Sequence, residues 1–171
     1  HMAVRPTPNL WPPHGPMLRV IDVRHGTTAD LALVDAIMQR AFDPRYGEAW
    51  TRAQCLGIMA MPGVWLALAT IDGIAAGFAL ARAQIDEAEL LLLATAPEWR
   101  RQGVGRALLR AVANDARSRN VKTLFLEVRS NNEAIELYLR GGFTKAGERR
   151  GYYRGKNGQL FDAYTFHLLL G

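Results

Sequence analysis

The stretch from Glu89 to Arg119 limits the possible folds more than any other part of the chain. Four consecutive leucines, Leu90 to Leu93, lead through Ala94-Thr95-Ala96 to a stop at Pro97. From Gly103 onward, Val104, Leu108, Leu109, Val112 and Ala116 recur at helical spacing. The first pattern predicts a strand over Glu89–Ala96, central in its sheet and covered on both faces, and the second a helix over Gly103–Arg119 packed against it. Between them runs Trp99-Arg-Arg-Gln-Gly-Val-Gly. A helix start offers backbone N–H groups without intrahelical partners, and its dipole favours anions. Gly103 and Gly105 would let a phosphate approach the main chain, and Arg101 and Arg106 would add positive charge beside Gln102 and Val104. Turn geometry with solvated arginines is the plainer alternative for so short a glycine motif. The dinucleotide fingerprint lacks its third glycine here, and no Gly-Lys-Ser or Gly-Lys-Thr is present for an ATP loop. Another phosphate-bearing ligand remains.

The other elements follow from periodicity and punctuation. Leu18–Val23 reads as a first strand, and Gly26 with Thr27 or Thr28 starts a helix that Asp43-Pro44 stops after about Phe42. Thr51–Met61 is a shorter helix, and Val64–Thr70 and Ile74–Ala83 form a hairpin about Asp72-Gly73. Thr123–Val128 is a strand, Asn132–Leu139 a helix, and Phe143–Arg149 and Phe161–Leu169 a last strand pair around Gly155–Gly158. The order β-α-α-β-β-β-α-β-α-β-β predicts an α/β (mixed α+β) protein, with a mixed twisted sheet of about seven strands and helices on both faces. A single domain is expected over 18–171, behind a tag remnant and a flexible Pro-rich leader over 1–17.

Composition excludes several classes. The single cysteine, Cys55, rules out an internal disulfide, and four histidines without zinc-type spacing give no case for a metal. No apolar run approaches the roughly eighteen residues of a membrane span, so a cytoplasmic protein without membrane contact is expected. A net charge of +5 favours encounter with anions, whether nucleotides, phosphorylated cofactors or RNA. Only Tyr152 and Tyr153 could add the exposed aromatics a nucleic-acid module uses, so no direct nucleic-acid requirement is expected.

Arg100-Arg-Gln-Gly-Val-Gly resembles the Gln/Arg-x-x-Gly-x-Gly/Ala signature of the GCN5-related N-acetyltransferase (GNAT) family. The likeness runs from about Leu18 to Leu170. Within the family the chain is most similar to the enzymes that acetylate the N-terminal alanine of ribosomal protein S18. That likeness rests on Asp86-Glu-Ala, Leu126-Glu-Val-Arg, Ala134-Ile-Glu-Leu-Tyr, Gly142-Phe, Arg149-Arg-Gly-Tyr-Tyr and Asp162-Ala. The resemblance implies a GNAT-like acyl-CoA N-acyltransferase fold, acetyl-CoA as cosubstrate without a metal, and a protein N-terminus as acceptor. It places the pantetheine along Leu93, Ala94 and Thr95, with a main-chain N–H near Ala94 polarising the thioester carbonyl. The pyrophosphate falls within Arg101–Arg106, and Asn131 faces the cofactor.

The resemblance also makes Glu127 the general base and Tyr138 the general acid. Glu127 could instead be a solvated strand carboxylate or pair with Arg129, and Tyr138 could be a core residue. Glu87 and Glu89 would attract the amine, with Glu89 as a second candidate base, or would serve solubility at a strand end. Tyr46 and Trp50 would wall the acceptor groove, although core packing explains Trp50 equally well, and Tyr152 and Tyr153 would clamp the peptide.

The chain departs from the pattern in three places. Ser130-Asn-Asn-Glu-Ala-Ile is one residue shorter, so counting back from Tyr138 selects Asn131 and counting forward from Glu127 selects Asn132. The Pro44–Glu48 segment is longer, and the last hairpin has an extra residue before Asp162. All three touch the acceptor side, which keeps two alternatives open: acetylation of a small-molecule amine or a lysine, and a non-catalytic RNA- or ribosome-binding module.

Overall fold

Two threonines and one tight turn organise the first half of the chain, whose computed structural model describes residues 20–171. The expected leader and the start of the expected first strand lie outside the described residues. Strand β1 (Ile21–Gly26) runs three residues beyond the expected Val23 and stops just before Thr27. There Thr27 Oγ1 accepts from Ala29 N–H at 3.1 Å, and Asp30 Oδ2 accepts from Thr27 N–H at 3.0 Å. This reciprocal cap starts a short 3₁₀ turn and then α1 (Leu31–Ala41). Thr51 and Gln54 repeat the arrangement at α2 (Arg52–Met59). Strands β2 (Val64–Ile71) and β3 (Ile74–Gln84) meet at Asp72 and Gly73, both with left-handed backbone (φ 52° and 79°), as a two-residue hairpin requires.

Strand β4 (Glu87–Thr95) lies in the middle of a seven-stranded sheet of order β1-β2-β3-β4-β5-β7-β6. Helix α3 (Val104–Ser118) follows it, then β5 (Thr123–Arg129), α4 (Ile135–Arg140), β6 (Thr144–Arg154) and β7 (Leu160–Leu169). Among the described strands only β4 and β5 run parallel. The mixed sheet and helices on both faces agree with the sequence. Val104, Leu108, Leu109, Val112 and Ala116 of α3 pack on one face, with Tyr138 and Phe143, while α1 and α2 cover the other with Val34, Ile37, Met38 and Cys55. Full burial of each large apolar side chain contributes roughly 1.5–3 kcal/mol.

Within β4 the four leucines behave differently from one another. Ala88 and Leu90 belong to the α3 core, whereas Leu92 and Ala94 belong to the α1 core. Residues of one parity change faces because Leu90 pairs with Ala81 and Leu92 with Leu80, which makes Leu91 the extra residue of a β-bulge. Leu91 and Leu93 stay partly exposed. Helices cover both faces as expected, and Leu91 and Leu93 are only partly buried where β5 has left the edge of β4.

Two later elements differ in extent. Helix α4 is shorter than Asn132–Leu139; Asn132 Oδ1 instead accepts from Ala134 N–H at 2.8 Å, just ahead of the helix. Strand β6 runs past Arg149 to Arg154, so Tyr152 and Tyr153 lie in the strand. Its register slips between Arg149 and Tyr153, and Gly151 N–H there donates to Asp162 Oδ1 at 2.9 Å. That contact bridges the irregularity and lets pairing resume. Among the described residues no helix is long and apolar enough to cross a membrane.

Candidate active site

The ladder between β4 and β5 holds only from Glu87, Ala88 and Glu89 to Thr123, Leu124 and Phe125. Beyond it the strands part and open a cleft of about 1030 Å³ between Leu90–Thr95 and Leu126–Arg129. The parting leaves main-chain groups of β4 without a partner strand. Ala96 N–H donates to Ala76 O at 2.8 Å, and strand alternation then turns Ala94 toward β3 as well. Leu93 and Thr95 thus present N–H and C=O to the cleft. Leu93, Ala94 and Thr95 all line this cleft, with the open backbone groups flanking Ala94.

Past Thr95 the cleft adjoins a second cavity, of about 1600 Å³, along the start of α3. Thr95, Gly105, Ala134 and Leu137 line both. Arg101 (φ 63°) and Gly103 (φ 89°) adopt left-handed backbone ahead of the helix. Gly103 supplies no side-chain cap, so the first N–H groups of α3 are left for a ligand. At Gly105 a Cβ atom would stand 3.0 Å from Leu137 Cδ2, so the glycine keeps that wall back. Arg101, Val104 and Arg106 line this second cavity. Gln102 turns its amide to Glu98 O at 3.3 Å, and Arg100 donates to Ala41 O at 2.7 Å.

The opposite end of the first cleft is lined by Glu127, Tyr138 and Tyr153, together with Tyr46, Glu48 and Trp50 of the α1–α2 loop. Glu127 pairs with Arg149 of β6 (Nε to Oε2, 3.4 Å), not with Arg129, the partner named in the alternative reading of this strand carboxylate. Arg129 is buried and engaged elsewhere. It donates to Asn131 Oδ1 at 2.6 Å and to Glu48 Oε1 at 3.1 Å, and its guanidinium carbon lies 3.4 Å from the centre of the Tyr46 ring.

Asn131 also donates to Tyr46 Oη at 3.3 Å, and Tyr46 meets Phe161 of β7 edge-on with ring centres 5.2 Å apart. Lys156 N–H donates to Arg45 O at 3.0 Å. These contacts tie the α1–α2 loop to the end of β5 and to the β6–β7 hairpin. Asn131 and Asn132 both line the cleft; the first fastens the loop and the second caps the turn before α4. Trp50 also packs against the α1 core.

Glu87, Glu89 and Tyr152 lie outside the cleft lining. Glu87 is exposed and Glu89 partly buried. Tyr152 is half-exposed and meets Tyr153 edge-on at 5.6 Å. Burial raises the Glu89 carboxyl above its ordinary range and the charge of Glu127 adds to it, against Arg82. Burial, then Glu127 and Glu48, push the Tyr153 hydroxyl up to about 12. Tyr138 is raised further by burial, with Glu48 next in effect.

Sequence reasoning missed Glu48 and the role of Arg149. Glu48 was visible only as the end of an unusually long loop. Arg149 meets Glu127 across β7, a register no local pattern encodes.

A sequence model of the acetyltransferase (GNAT) family matches residues 31–143. The [ribosomal protein bS18]-alanine N-acetyltransferase of Escherichia coli strain K12 is 44% identical over 91 residues, which span 53% of this chain and 62% of that protein. The protein of the same name from Salmonella typhimurium strain LT2 is 38% identical over 128 residues, or 74% of this chain and 83% of that one. The crystal structure of the ribosomal-protein-S18-alanine N-acetyltransferase from Escherichia coli superposes with a TM-score of 0.80 at 33% identity, covering 89% of this chain and 95% of that one. The fold, the parted strands and these matches agree: the chain belongs to the GNAT acetyltransferase family.

Proposed function

We propose that this chain is an acetyl-CoA-dependent N-acetyltransferase acting on a protein N-terminal α-amine, that of the N-terminal alanine of ribosomal protein S18. The observation that carries the reading is continuity: Glu127 and Tyr138 line one cleft that adjoins, at Thr95 and Gly105, the cavity at the start of α3. The single sheet shared by every described strand supports reading 18–171 as one domain.

The residues present fit the cosubstrate. The open N–H and C=O groups of Leu93 and Thr95 would pair with pantetheine amides, and the first N–H groups of α3 with Arg101 and Arg106 would hold the pyrophosphate. When bound, acetyl-CoA supplies the activated acetyl thioester. Glu127 takes the proton of the amine, directly or through water; an α-amino group with pKa ~8 asks no extreme basicity of it. A main-chain N–H of the parted β4 edge polarises the carbonyl. Tyr138, kept protonated by its burial, is the group placed to hydrogen-bond and protonate the departing thiolate; with a pKa of about 8.5 that thiolate is a weak base, which leaves with little assistance. The names of the matched relatives support S18 as the acceptor.

Mass-spectrometric product identification tests this reading, using acetyl-CoA with peptides starting Ala-Arg-Tyr, internal-lysine peptides and free polyamines. Acetylation of the α-amine of the Ala-Arg-Tyr peptide is expected. Turnover no greater than that of a control peptide removes the S18 assignment, and preference for polyamines or lysine moves the activity to those amines. Salt-dependent RNA binding without thiol release would indicate a binding module instead.

A further inference from the structure

Glu48 ends the loop in which this sequence departs from the S18-type pattern, and the chemistry above leaves it unused. Its carboxylate lines the same cleft as Glu127, Tyr138 and Tyr153. Oε1 accepts from Arg129, while Oε2 has no partner among the described residues. The side chain is held rather than free to swing. Arg129, only 7% exposed at its side chain, is itself fixed by Asn131 and the Tyr46 ring, and that loop is bonded to the β6–β7 hairpin through Arg45 and Lys156. Glu48, Tyr138 and Tyr153 line one cleft, and the negative charge of Glu48 raises both tyrosine hydroxyls.

An α-amine with pKa ~8 reaches the protein mostly as ammonium at neutral pH. Holding that cation and removing its proton are different tasks: the holder must stay ionised, while the base must become protonated. Glu127 faces Arg149 and is assigned the second task. Glu48 has a preorganised oxygen available for the first.

We propose that Glu48, fixed by Arg129, is the specificity-determining anion that receives the acceptor's ammonium group. This inference rests on the N-acetyltransferase reading. The acceptor class it names is a protonated primary amine on a chain end that enters the cleft lined by Tyr46 and Tyr153.

Steady-state kinetics with the Ala-Arg-Tyr peptide and acetyl-CoA test it, comparing the unaltered chain with Glu48→Gln and Glu48→Asp. In Glu48→Gln the KM for the peptide is expected to rise roughly tenfold or more, the size of a lost hydrogen bond to a charge, with a smaller change in kcat. Glu48→Asp should recover part of the loss. The α-N-acetylated peptide, which meets the same walls without a cation, should inhibit Glu48→Gln and the unaltered chain equally well. A parallel weakening of that inhibitor would reveal a collapsed loop and overturn the assignment. An unchanged KM in Glu48→Gln would overturn it too while leaving the activity standing. Absence of turnover by the unaltered chain on any peptide amine would overturn both.

Discussion

Arg149 Nε stands 3.4 Å from Glu127 Oε2, so the carboxylate on β5 is held from β6, across the whole width of β7. The arginine is 60% exposed at its side chain and the glutamate 23%. A pair this solvated orients a carboxylate at little energetic consequence, typically within about 1 kcal/mol. The contact from Arg149 therefore serves to aim Glu127.

Two substitutions separate aiming from chemistry. Glu127→Gln should lower kcat by roughly 10²–10³, the usual worth of a positioned base, and leave the KM for acetyl-CoA unaltered. Arg149→Met should lower kcat by no more than about fivefold, the equivalent of a surface ion pair. Initial-rate kinetics on both variants check this. Equal losses would mean that the pair acts as a unit.

Tyr138 should divide stability from catalysis as well. Its ring packs in the α3 core near Phe143, centres 5.9 Å apart, and its hydroxyl makes no hydrogen bond among the described residues. Tyr138→Phe keeps the packing, so Tm should stay within a degree or two, by the small size of a substitution that removes no made contact. Thiol release should slow by about 10²-fold. A large fall in Tm with unchanged turnover would show that the tyrosine is a core residue only.

Most of the scaffold was legible because its signals are local. Thr27, Thr51 and Asp72-Gly73 each act on backbone within three residues, and the α3 stripe repeats within one helix. The glycine turn was legible for the same reason. The acceptor side was not. Leu91 looks like its neighbours, and only the registers Ala81–Leu90 and Leu80–Leu92 make it a bulge. Arg129 stands two residues from Glu127, on the same face by alternation, which is why their pairing stood as an alternative to the role of base. The choice of Glu48 as its partner depends on where a loop 81 residues earlier is folded back. Asn131 likewise reads as a cofactor contact by motif, while its bonds to Arg129 and Tyr46 arise from packing between loops.

Glu89 gives a pH-dependent prediction. Its carboxyl is raised in the folded chain by burial first and by Glu127 second. A carboxylate raised above its unfolded value is tolerated while protonated, and its favourable contribution is lost as pH rises through the folded pKa. Glu89→Gln should thus raise Tm at pH 7.5, well above the ordinary carboxylate range, and the gain should vanish below that range. Thermal melts at several pH values check the sign. A gain that persists at pH 3 would assign it to packing instead of charge.

Gly103 and Gly105 distinguish a ligand cradle from a mere turn. At Gly103 the backbone is left-handed (φ 89°) and the nearest atom to an added Cβ, Ile21 Cδ1, is at an ordinary 3.6 Å. Gly103→Ala should therefore cost stability through strain, about 1–2 kcal/mol. Gly105 has no such conformation; it lies in α3, where alanine is the better helix former by about 1 kcal/mol. Its Cβ would press on Leu137 at 3.0 Å, and that side chain lines both cavities. Gly105→Ala should keep or raise Tm while weakening acetyl-CoA binding, read by calorimetry. If the glycines serve turn geometry alone, Gly105→Ala leaves affinity untouched. A loss of affinity without a loss of stability would mean that the glycine at 105 is there for the ligand.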